Sequence, residues 1–149
     1  MRKHLAILFF ATLLALGANS VQARDGQYRS LAIDTSRVAV RGHPHFAAAL
    51  KPMLAGELSK ALGARLGNTG GQLIVRITRI ELPPSAGENN WGGAIDDVIE
   101  GVVIVPGRGQ IPIRVTLPPN AGAWYASNFD ERRVYRLIEA FAQWAAREV

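Results

Sequence analysis

No cysteine occurs among the 149 residues, and the chain begins with what reads as an export signal. Whatever it folds into outside the cytoplasm must therefore be held by apolar burial alone. The missing residue removes disulfides, thiolate metal sites, a thiol nucleophile and the cysteine that would carry a lipid anchor. Arg2 and Lys3 form a short positive region, Leu5 to Leu16 is uncharged and almost wholly apolar, and Val21-Gln22-Ala23 supplies the small residues that signal peptidase reads. The apolar run falls short of the roughly 20 residues of a membrane helix, and Gly17, Asn19 and Ser20 interrupt it. Residues 1–23 are expected to be cleaved, leaving 24–149 as one domain large enough to bury a core without covalent staples. The expected address is the periplasm, with secretion as the alternative and no transmembrane helix in the mature form.

The net charge of +5 falls to +3 once Arg2 and Lys3 leave, and the remaining basic residues are mostly arginines spread along the chain. Nucleic-acid binding calls for a concentrated basic stripe, so no nucleic-acid partner is expected. Attraction of the last helix's arginines to anionic envelope polymers is a weaker option that salt would screen.

Leu31, Ile33, Val38 and Val40 alternate, with a break at Asp34-Thr35-Ser36, and predict one bent strand or two short pieces up to Gly42. Pro44 suits the first turn of a helix. Phe46, Leu50, Met53, Leu54, Leu58, Leu62 and Leu66 keep helical spacing, with a kink or fresh start expected at Pro52 and a left-handed cap at Gly63 or Gly67. Leu73, Val75 and Ile77 predict a strand whose apolar parity then shifts to Ile80 and Leu82, the mark of a bulge. Val98 to Val105 and Ile111 to Leu117 should pair as a hairpin around Pro106-Gly107-Arg108-Gly109, with Pro112 at a strand start or on a sheet edge. A final helix, opened by a capping box from Asn128 to Glu131 or by Asp130, places Val134, Leu137, Ile138, Phe141, Trp144 and Ala145 on its core side. Arg132, Arg133, Arg136, Glu139, Arg147 and Glu148 fall on its charged side. The order β-α-β-β-β-α predicts an α+β two-layer sandwich, a mostly antiparallel sheet with both helices on one face.

Catalytic constellations are scarce. His43 and His45 flank Pro44 in a turn, and zinc chemistry wants more ligands than two histidines supply. Asp96 and Asp97 are adjacent on an extended chain, so they point to opposite faces and read as a solvated loop end, with Glu100 on a half-exposed sheet face. No serine sits in a nucleophile elbow, and the glycine pairs match neither nucleotide-binding pattern. The binding candidates are Trp91, Trp124 and Tyr125, with Asn89 and Asn90 beside the first, because loop aromatics offer large contact area at small entropy cost.

A Gly-Gly-x-Leu-hydrophobic-Val strand (Gly70 to Val75), a glycine-rich loop, an Asp-x-x-x-Gly strand entry and the stretch Gly122-Ala123-Trp124-Tyr125 before a helix carrying Trp144 span most of the mature chain. In these features the sequence resembles small exported bacterial envelope proteins. More distantly its topology is similar to periplasmic accessory domains of envelope transport and lipopolysaccharide assembly. Many of those are lipoproteins, and without a cysteine the tether does not carry over. The resemblance supplies no catalytic residue; the missing catalytic constellation and the two aromatic loops point to a non-enzymatic accessory module with no cofactor, holding an envelope protein or polymer by its loops or by the sheet edge near Pro112. The alternative is a small periplasmic hydrolase, metal-dependent or otherwise, using His43, His45, Asp96 and Asp97.

Overall fold

The computed structural model describes residues 27–40, 44–83, 96–118 and 129–149. Strand β1 (Tyr28–Asp34) leads into a short helix α1 (Ser36–Val40), then helix α2 (Pro44–Leu62) and a 3-10 turn (Gly63–Arg65). Strands β2 (Gly71–Glu81), β3 (Asp97–Val105) and β4 (Gly109–Leu117) follow, and helix α3 (Phe129–Glu148) ends the chain. The sheet has the spatial order β1-β2-β3-β4, with β1 parallel to β2 and the other two pairs antiparallel. Both long helices lie on one face, which makes the domain an α+β two-layer sandwich as the element order predicts.

The end of the first expected strand is a correction. Val38 and Val40 belong to α1, because Asp34 accepts hydrogen bonds from the Ser36 amide at 3.0 Å and the Ser36 hydroxyl at 2.6 Å, turning the chain into a helix. Val38 still reaches the core. Asp34 also receives Arg76 Nε at 2.7 Å from the neighbouring strand. The Ser36 hydroxyl, then Arg76, hold its carboxyl down at about 2, below its usual 3.8. A depressed carboxylate stabilises the fold above its unfolded pKa and loses that contribution as pH falls through the folded value. The advantage of wild type over Asp34→Asn is therefore expected to be constant above about pH 5 and to shrink between pH 4 and 2 in urea titrations. Because both partners are about a third exposed, it should not exceed ~1 kcal/mol.

Helix α2 starts at Pro44 and is continuous across Pro52, which lies exposed; the fresh start expected there does not occur. Its buried stripe is Ala47, Leu50, Leu54, Leu58 and Leu62. Gly63 ends it with a φ of +51°, the left-handed conformation that glycine adopts without steric cost. Leu66 lies beyond the helix, in extended backbone bridged to Tyr28.

Leu73, Val75, Ile77, Ile99, Val103, Ile113 and Val115 form the sheet side of the core, and Leu137, Ile138, Phe141 and Ala145 meet them from α3. The parity shift in β2 is a bulge: Ile77 pairs with Gly101 and Arg79 with Glu100, leaving Thr78 extra. The Thr78 hydroxyl donates to the Glu100 carbonyl at 3.2 Å. Pro112 sits on β4, an outer strand, where a missing N–H does not break the ladder. Trp144 is a second correction. Leu137, Phe141 and Ala145 advance in four-residue steps along the buried stripe, whereas Trp144, three residues after Phe141, falls to its side and is 49% exposed, with the Arg147 guanidinium 5.5 Å from its ring.

Candidate functional site

Among the described residues, a buried polar cluster lies inside the core layer, at one end of the sheet. Asp97 opens β3 with the parity of Ile99 and Gly101, so it faces the helices, and Arg133 of α3 has the four-residue spacing of Leu137 and Phe141. Their side chains are 2% and 3% exposed. Arg133 Nε donates to both Asp97 carboxylate oxygens, at 2.9 and 3.1 Å, and its Nη2 also contacts Oδ1. Nη2 donates to the Pro83 carbonyl at 2.7 Å, and Nη1 to Asp130 at 2.9 Å. The Asp97 hydrogen bonds, ahead of the Asp130 contact, push the guanidinium pKa up against the cost of burial, so the group stays charged.

These contacts overturn two sequence expectations. Asp97 is no solvated loop end, and Arg133 does not lie on the charged side of α3. The alternation argument itself holds: Asp96 is exposed while Asp97 turns inward. The two carboxylates are not brought together, since Asp97 is engaged by Arg133 and Asp96 has the opposite parity. Glu100 lies on the sheet face away from the helices, 3.6 Å from Arg79 and 3.5 Å from Arg114, where a half-exposed face accommodates it.

The cluster gathers the ends of two chain segments. Pro83 ends the described part after β2 and Asp97 begins β3, so residues 84–95 leave and return at Arg133. Leu117 is the register partner of Asp97, and Asp130 stands in the first turn of α3, so residues 119–128 leave and return beside the same pair. Trp91, Asn89 and Asn90 belong to the first segment and Trp124 and Tyr125 to the second. All five lie outside the described residues, as do His43, the His45 side chain and Asn128. What the structure supplies is the position of the described residues that flank the two segments.

The face opposite the helices carries its side chains in cross-strand rows. Ala32, Ile74, Ile104 and Gln110 form one row, Asp34, Arg76, Val102 and Pro112 the next, and Arg79, Glu100 and Arg114 a third. Apolar and charged positions are thus segregated toward opposite ends of the face. Among the described residues there is no group of three or more carboxylate or histidine side chains able to hold a metal ion, and no helix long and apolar enough to cross a membrane.

No family model matches the sequence, and no curated protein does. Among solved structures, the chain is similar to one described as a "putative lipoprotein" from Caulobacter crescentus, at 11% identity and a TM-score of 0.39 over 82% of this chain and 83% of that one.

Proposed function

We propose that this protein is a non-enzymatic accessory module of the bacterial cell envelope, exported to the periplasm, that holds an envelope protein or polymer between segments 84–95 and 119–128. One observation carries the reading: Arg133 binds Pro83, Asp97 and Asp130, and Asp97 is in register with Leu117, so described residues flanking both segments gather around one buried ion pair, Asp97–Arg133. A buried ion pair where the ends of two aromatic-bearing segments are held suits a binding surface, because fixing those ends lowers the ordering cost of capture. The hydrolase alternative is disfavoured by the commitment of Asp97 to Arg133, which takes one member from its carboxylate pair.

The test is photo-crosslinking in the native envelope, with the crosslinker placed at Ala123. Trp124→Ala and Trp91→Ala are each expected to lower the yield of the crosslinked partner at least fivefold while the circular dichroism spectrum stays unchanged. Undiminished yields in both variants would sink the reading. N-terminal sequencing of the mature protein should begin at Arg24.

A further inference from the structure

The two outer strands of the sheet are not equivalent. β4 carries Pro112, which has no N–H to offer an added strand, and Arg114, whose side chain is 64% exposed. β1 has no proline, and its charged residues stand at its two ends: Arg29, exposed, at the register shift between Tyr28 and Ser30, and Asp34 at the last position. Its start is tied down, since the Tyr28 carbonyl accepts the Gly67 amide at 2.9 Å and Tyr28 bridges to Leu66. Its end turns away where Asp34 binds Ser36. Between them Ser30 to Ile33 pair only with β2 among the described residues, leaving a window of about 13 Å of strand edge.

A groove of about 520 Å³ runs along this window, lined by Leu31, Ala32 and Ile33 on the strand and by Lys51, Pro52 and Ala55 on α2. Its walls are apolar except for Lys51, which is exposed. We propose that the groove receives an extended apolar peptide segment, which adds as a strand to the edge of β1 that no described strand covers and turns a carboxylate toward Lys51. An acyl chain would satisfy the apolar walls but leave the strand edge without hydrogen-bonding partners. An extended peptide supplies N–H and C=O groups at the strand repeat and side chains for the wall on alternate residues. The single cation among the lining residues selects a carboxylate, from an acidic residue or a chain terminus.

The test titrates the full chain, isotopically labelled, with the peptide Ac-Ser-Thr-Val-Thr-Val as free acid and as C-terminal amide, following backbone amide shifts and hydrogen exchange. The free acid is expected to shift the Leu31–Ile33 amides and slow exchange in that window at least tenfold, with the amide form binding at least fivefold more weakly. Lys51→Glu should abolish the preference for the acid. Ala55→Trp, a change on the half-exposed side of α2, should fill the groove and remove binding while the other amide shifts persist. Absence of any shift at Leu31–Ile33 up to several millimolar peptide overturns the proposal. So does binding that Ala55→Trp leaves intact. Occupation by dodecanoate without peptide binding overturns it in favour of an acyl chain, and concentration-dependent protection of β1 with dimer formation in sedimentation overturns it in favour of a second copy.

Discussion

Arg133→Leu is expected to lower the unfolding free energy by about 3–5 kcal/mol, because it leaves the Asp97 carboxylate buried without its countercharge. Asp97 is 2% exposed and Arg133 supplies its ion-pair partner. Water has little access to replace what is lost, and the Pro83 carbonyl loses its donor as well. The informative control is the double variant Asp97→Leu with Arg133→Leu. Replacing a whole buried pair by apolar side chains of suitable volume is often neutral or stabilising, so the double variant should recover most of the loss. Urea unfolding of the four proteins in a double-mutant cycle measures the coupling. A coupling below about 1 kcal/mol would show that the pair contributes little beyond packing.

Gly101→Ala should cost about 1–3 kcal/mol, the range that overpacking a filled core costs. A β-carbon there would stand 2.7 Å from the Arg76 carbonyl oxygen and 2.8 Å from the Phe141 ring. The ring can shift but the carbonyl belongs to a hydrogen-bonded strand, so the two contacts separate experimentally. Phe141→Leu in the same chain should relieve only the ring's part, leaving the combined variant less stable than Phe141→Leu alone. If Gly101→Ala melts within a degree of wild type, the packing of α3 on β3 is looser than these distances require.

Much of the architecture is legible in the residues because apolar side chains report their own periodicity. Leu73, Val75 and Ile77, the shift to Ile80, the turn around Gly107 and the left-handed Gly63 are each a local pattern with a local cause. The failures share a different cause. Asp97 and Arg133 keep the correct parity and the correct four-residue spacing for the core, yet a charged residue is read as facing water unless its partner is known. That partner lies 36 positions away in the chain. A search for opposite charges that each occupy an apolar phase of their own element would have found them. Trp144 failed in the reverse sense: an apolar side chain near a buried stripe was taken for part of it, although one helical step set it aside. Val38 and Val40 fit strand alternation as well as one turn of helix, and the hydrogen bonds from Ser36 to Asp34 decided between them. The candidate binding residues are aromatics of segments outside the described residues, and the structure places only the residues that flank those segments, around Asp97 and Arg133.

Thr78 is one residue more than the ladder between β2 and β3 has partners for, and it changes the chain's length without changing which side chains meet. With Thr78 deleted, Ile77 would still oppose Gly101 and Arg79 would still oppose Glu100, now in an unbroken ladder. Shortening β2 at this position is therefore silent in register, whereas removing a residue between Leu73 and Arg76 would turn the strand inside out.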